Sequence, residues 1–208
     1  MLFSSQDERI KMSDHTFSQC SNHCSLSTDV SIVLGEGPVP ARFMIIGEAP
    51  TSVAQKVGKP FPLVTDSGRV LDKWLSYVGI KRDEVFITNM VKCPKQTNEW
   101  ELQIRACLPQ LEKEIQAVRP RLVITLGNDV HKRFTTTYRP KRYQSALKSP
   151  MYRVWDHYPG SGACGEYKGV MYFALVHPSN AARVGKDIPN YLIPDLDRLR
   201  TFVEGSRF

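Results

Sequence analysis

Four short apolar runs mark out the chain: Phe43–Gly47 (FMIIG), Val85–Val91 (VFITNMV), Leu122–Leu126 (LVITL) and Met171–Val176 (MYFALV). They are rich in β-formers and continuous rather than alternating, which predicts strands buried on both faces of a mostly parallel sheet. Between them the apolar period changes to that of a helix. Gly68–Val78 places Val70, Leu71, Trp74, Leu75 and Val78 on one face. Leu102–Val118 does the same with Ile104, Leu108, Leu111, Ile115 and Val118, and Pro109 inside it is positioned to kink the helix. Asn128–Phe134 predicts a short helix, and Tyr191–Val203 a last one carrying Leu192, Leu196, Leu199 and Phe202. Alternating strands and helices predict an α/β fold, three-layer α/β/α around a short, mostly parallel four-stranded sheet.

One stretch breaks the alternation. Residues 135–169 are long, aromatic and basic, with Tyr138, Arg139, Lys141, Arg142, Tyr143 and Trp155 among them. Aromatic content argues for order, and long connections in compact domains are commonly functional. The expected organisation is a polar leader over 1–18 and one domain over 19–208 carrying this insertion.

Composition narrows the function. The length of 208 residues suits one sizeable core, and a hydrophobic fraction of 41% is ordinary for a globular protein. No apolar run could span a bilayer and the N-terminus lacks an apolar signal core, so a cytoplasmic protein without a membrane is expected. Nothing in the sequence hints at oligomerisation, and a monomer is the expectation. A net charge of +7 suits a polyanionic partner, nucleic acid first. The five cysteines, Cys20, Cys24, Cys93, Cys107 and Cys164, are an odd count with no secretory signal, which favours a metal or cluster site over a disulfide scaffold.

The chemistry-bearing motifs fall at the C-terminal ends of predicted strands, where open α/β sheets bind ligands. Gly47-Glu48-Ala49-Pro50 follows the first strand, Thr88-Asn89-Met90-Val91-Lys92-Cys93 ends the second, and His177-Pro178-Ser179 follows the fourth. Glu48, Asn89 and His177 are thereby expected to converge on one pocket.

These motifs, with Cys24-Ser25-Leu26, Gly35-Glu36-Gly37-Pro38, Gly58-Lys59-Pro60-Phe61, Ala106-Cys107-Leu108-Pro109-Gln110-Leu111 and Leu126-Gly127, resemble the iron–sulfur uracil-DNA glycosylases of family 4. The likeness covers most of residues 20–203 and rests on the ordered set. It implies a DNA glycosylase that flips a pyrimidine-type base out of the helix and hydrolyses its glycosidic bond. It implies a [4Fe–4S] cluster on Cys20, Cys24, Cys93 and Cys107, for which a zinc site on the same thiolates is the chemical alternative. The first pair is spaced C-x3-C, where the family has C-x2-C. By the same resemblance Phe61 stacks on the base, Asn89 reads its edge, His177 stabilises the departing anion, Glu48 serves the sugar or the water, and Gly47 permits close approach. Ser179, Asn180 and Arg183 would face the DNA, with Arg139, Lys141 and Arg142 supplying a further basic surface.

Asn180-Ala181-Ala182-Arg183 lacks the apolar wedge of many relatives, which bears on how the base is flipped. Three further departures bear on the substrate. Ala54 stands where relatives place an acid beside C5 of the base, and the path Phe61–Gly68 (FPLVTDSG) and the aromatic, basic stretch before the fourth strand are both longer than in relatives. They raise two readings. One is a bulky 5-substituted pyrimidine, such as glucosylated hydroxymethylcytosine in phage DNA, removed in antiviral defence. The other is uracil, removed in repair. A catalytically weak DNA-binding module is a third reading, which the retained Glu48, Asn89 and His177 disfavour.

Overall fold

The computed structural model describes residues 31–138, 141–144, 164–167, 170–185 and 187–205. Its elements in chain order are β1 (Phe43–Gly47), α1 (Ser52–Val57), α2 (Asp66–Val78), β2 (Val85–Asn89), α3 (Trp100–Val118), β3 (Leu122–Leu126), α4 (Asn128–Tyr138), β4 (Lys141–Gln144), β5 (Cys164–Tyr167), β6 (Val170–Leu175), α5 (Pro178–Arg183) and α6 (Ile193–Gly205). The sheet order is β2-β1-β3-β6-β5-β4. The first four strands in that order are mutually parallel, and β5 and β4 extend the edge beyond β6 as antiparallel neighbours. The expected four-stranded parallel core is therefore present. The stretch between α4 and β6 contributes two further strands.

Both faces of the core strands are buried, which explains their unbroken apolar runs. Phe43, Ile45, Val85, Ile87, Leu122, Ile124 and Phe173 point to a layer holding Trp74 and Leu75 of α2, Ala181 of α5 and Leu196 and Leu199 of α6. The alternate residues Met44, Ile46, Phe86, Val123, Tyr172 and Ala174 point to the layer of α3 and α4, with Ile104, Leu111, Val130 and Phe134. This is the two-residue period of a strand sorting side chains to two helical layers. α2 begins where Thr65 accepts a hydrogen bond from Gly68 N and ends at left-handed Gly79. α3 runs from Trp100 to Val118 with Pro109 inside it.

Parallel pairing sets the strand ends side by side. Gly47 pairs with Asn89, and β3 pairs with β6 up to Leu126 and Leu175. The segments after β1, β2, β3 and β6 therefore meet along one edge of the sheet.

Candidate active site

A narrow slot of about 20 Å³ opens there, lined among others by Ala49, Pro50, Ala54, Phe61, Asn89 and His177. Asn89 closes its inner end. The residue is 1% exposed, and neither amide atom has a protein partner. Leaving a buried amide unpaired costs about 1–3 kcal/mol, so its retention points to a ligand that completes it. Gly47 makes this arrangement possible, because a Cβ there would collide with Asn89 Oδ1 and the Phe61 ring. The space beside Gly47 is thus taken by the Asn89 and Phe61 side chains. Phe61 sits at positive φ (47°), an unfavourable conformation for a bulky residue, and its carbonyl accepts a hydrogen bond from Arg82 Nη2 at 2.7 Å.

His177 borders the slot from β6. Its ring centroid lies 5.6 Å from that of Phe61, with the planes 38° apart. As N-cap of α5 it accepts the Ser179 amide N–H on Nδ1 at 3.2 Å, and Nδ1 also meets Ser179 Oγ at 2.8 Å. A nitrogen that accepts from the backbone carries no proton, so in the neutral ring the proton is on Nε2. Burial pushes the ring down to about 4, and the positive charge of Arg183 adds to the shift. Neutral His177 therefore offers one N–H donor. Gly127 (φ 98°) turns the chain beneath it, where a Cβ would reach His177 Cβ at 3.5 Å.

The slot shares Ala49, Pro50, Thr51 and His177 with a wider cleft of about 580 Å³. Glu48 lines this cleft, together with Ser179, Asn180 and Arg183. So does Lys95, which the sequence reading missed. Its Nζ bonds Glu48 Oε1 at 2.5 Å and Asp129 Oδ2 at 3.3 Å, and stands 4.4 Å from the centre of the Trp100 ring. Burial alone would lower the Lys95 ammonium, but its bonds to Glu48 and Asp129 outweigh this and hold it above its ordinary value. Lys95 so fixes the Glu48 carboxylate at the cleft wall. The isolated lysine in Pro94-Lys95-Gln96 gives no sign in the sequence of partners 47 and 34 positions away.

A second unforeseen feature lies behind Asn89. Lys92 Nζ donates to Glu114 Oε2 at 2.6 Å, Thr88 Oγ1 at 2.7 Å and the Asn89 carbonyl at 2.7 Å. Thr88 Oγ1 donates to the same carboxylate oxygen at 2.9 Å. Lys92 is 3% and Glu114 0% exposed. The network ties the end of β2 to α3 and fixes the Asn89 backbone. Glu114 on the apolar face of a helix, beside Leu111 and Val118, was the available signal.

Cys93 and Cys107 are both buried in the core beneath α3, and Gln103 Nε2 donates to Cys93 Sγ at 3.1 Å. Cys20 and Cys24, like the proposed leader, lie outside the described residues, as does Arg139. Lys141 and Arg142 belong to β4, the edge strand. Lys141 pairs with Glu166, which pairs with Met171 at the start of β6. His177 lies beyond the other end of that strand, roughly 20 Å along at a strand's rise per residue. The structure therefore groups Glu48, Asn89, Phe61, His177, Ser179, Asn180 and Arg183, and leaves Lys141 off this edge.

With the geometry in place, comparison with known proteins agrees. Residues 34–200 match the uracil DNA glycosylase superfamily. A type-4 uracil-DNA glycosylase of Saccharolobus solfataricus is 35% identical over 157 residues, 72% of this chain and 66% of that protein. The type-4 enzyme of Sulfurisphaera tokodaii is 32% identical over 173 residues, 81% of this chain and 73% of that protein. That of Pyrobaculum aerophilum is 41% identical over 97 residues, 46% of this chain and 48% of that protein. The chain belongs to the uracil DNA glycosylase superfamily, a family of DNA glycosylases.

Among the described residues no helix is long and apolar enough to cross a membrane.

Proposed function

We propose that this protein excises uracil from DNA by hydrolysis and leaves an abasic site. The observation that carries the reading is the unpartnered Asn89 amide, set in one slot with the Nε2–H of a neutral His177 and the ring of Phe61. Uracil presents an acceptor at O4 and a donor at N3, and a single amide can answer both. Phe61 stacks on the ring. His177 donates to the carbonyl oxygen that gains charge as the C1′–N1 bond breaks and its electron pair passes to the base. Glu48, in the adjoining cleft, orients the water that adds to C1′ and takes up its proton. Lys95, kept protonated by Glu48 and Asp129, is unsuited to attack the sugar aldehyde, which supports a monofunctional hydrolase over a lyase. Ser179, Asn180 and Arg183 face the phosphodiester backbone.

The slot favours uracil over a bulky 5-substituted pyrimidine. Ala54 is small but 3% exposed, its amide N–H held by Thr51 Oγ1, and the slot it lines is also walled by Pro62, Thr65 and Ser67. Those neighbours supply the wall that an acid at position 54 would otherwise give. DNAs carrying uracil, thymine or glucosylated hydroxymethylcytosine, assayed for abasic sites, should show cleavage of uracil far ahead of the other two. Preference for the glucosylated base would overturn this assignment.

The cysteine set fits an iron–sulfur cluster. Two buried thiols stand in one core, one of them already accepting an amide N–H, as cluster sulfurs commonly do. Cys20, Cys24, Cys93 and Cys107 would hold a [4Fe–4S] cluster whose part is structural, pinning the N-terminal segment to α3. The purified protein should be brown, with iron and sulfide in equal amounts, and Cys93→Ser should bleach and destabilise it. A colourless zinc protein of full activity would refute the cluster.

A further inference from the structure

Extruding a base leaves a gap in the stack, and enzymes that do so commonly fill it with an apolar side chain. The segment after His177 offers less for this: Ala181 is fully buried, Arg183 is charged, and its one exposed large apolar residue, Val184, is 44% exposed. The longer path after Phe61 has a different character. Leu63 and Val64 are 51% and 67% exposed, the most exposed large hydrophobic residues among those described. They occupy the tip of a turn closed by Thr65 N on the Pro62 carbonyl at 2.9 Å and by Thr65 Oγ1 on the same oxygen at 2.7 Å. The residues on either side of the tip, Pro62 and Thr65, line the base slot.

The turn is held from several directions. Arg69 Nη1 donates to the Leu63 carbonyl at 3.2 Å, and Arg82 grips the carbonyl of Phe61. Thr65 also caps α2 through Gly68 N at 3.1 Å, where any Cβ on Gly68 would strike the Pro62 carbonyl oxygen. Two adjacent apolar side chains on a braced turn present a small apolar tip that a contact would cover. Bracing lowers the ordering cost when the contact forms.

Resting on the glycosylase reading above, we propose that Leu63 and Val64 are the wedge that enters the duplex stack where the flipped nucleotide has left it. The turn that carries them is flanked on both sides by residues lining the slot into which that nucleotide turns. The partner is double-stranded DNA, and the contact is apolar and indifferent to sequence.

The test compares single-turnover uracil release from single-stranded and double-stranded DNA by the parent, by Leu63→Ser/Val64→Ser, and by Val184→Ser. Val184 is the exposed apolar residue at the end of α5. A single strand has no stack to hold open, so its cleavage also shows that each variant folds. The double variant should lose about tenfold or more on the duplex and stay within about twofold of the parent on the single strand. Val184→Ser should match the parent on both. Equal losses on the two substrates, no loss on either, or a duplex-specific loss confined to Val184→Ser would overturn the wedge. A parent that cuts only single strands would overturn it too. A parent that releases uracil from neither substrate would instead sink the function on which the wedge rests.

Discussion

Replacing His177 by alanine should slow uracil release about 100–1,000-fold while leaving DNA affinity nearly unchanged. The donor acts on charge that develops only as the bond breaks, and removing one such donor typically costs about 2.7–4 kcal/mol of barrier. Nδ1 is occupied by the Ser179 amide, so no other proton on the ring can serve the base. Glu48→Ala should show a loss of the same order: Glu48 lines the cleft and not the slot, so the role proposed for its carboxylate is at the sugar and not in base recognition. The pH profile separates this account from one using a charged imidazolium. His177 is lowered to about 4, so its neutral, donating form persists as pH falls through the ordinary histidine value of about 6.5. It is lost only as pH falls through about 4. The rate of the chemical step should accordingly show no break near pH 6.5 attributable to this residue. Variants that cut normally but bind DNA poorly would refute the roles given to both residues.

Lys92→Met should destabilise the fold by about 3–5 kcal/mol, read as a lower denaturation midpoint. The pair with Glu114 is buried, and removing one partner strands the other charge away from water. Methionine preserves the volume of the stem, so packing loss is a minor part of the effect. The double variant Lys92→Met/Glu114→Leu removes both charges and should recover most of that stability, since a buried ion pair is commonly no better than an apolar pair of the same size. A Lys92→Met midpoint within about 1 kcal/mol of the parent, or a double variant as unstable as the single, would show that the pair is not buried as described.

What the sequence disclosed depended on whether a feature was local. The central strands announce themselves as unbroken apolar runs, because both their faces are buried, and the helices by period, because each buries one face. β3 has the expected bounds, and β2 stops at Asn89, two residues short of the apolar run, where the chain turns to form the slot. α1 was missed because Ser52–Val57 is too short for its period to register, although Thr51 as N-cap and Gly58 as left-handed C-cap bracket it. α5 was hidden in the same way behind His177-Pro178-Ser179. β4 and β5 lie in a stretch whose apolar pattern is weak, and of the two only β4 is an edge partnered on one side.

In the site, the convergence of Glu48, Asn89 and His177 on one edge was legible because each lies at or just beyond a strand end, whereas Phe61, between α1 and α2, was singled out only by the family resemblance. Lys95 and the Lys92–Glu114 pair depend on partners brought in by other elements, and no spacing along the chain encodes them. At Ala54 the two levels differ: alone, its small side chain reads as an opening, whereas the slot it lines is also bounded by Pro62 and Thr65 of the turn before α2 and by Ser67 of α2.

The claim on which all else depends is that the slot at the ends of β1, β2 and β6 cuts a uracil from its sugar. The measurement that meets it most directly is quantification of free base and abasic strand, by mass spectrometry, from duplex DNA containing one uracil. Uracil and abasic strand should appear in equal amounts, with no strand cleavage, and both should fall together in the His177→Ala protein. Intact DNA after exhaustive incubation with the iron-loaded parent, or product formation indifferent to His177 and Glu48, would contradict the account.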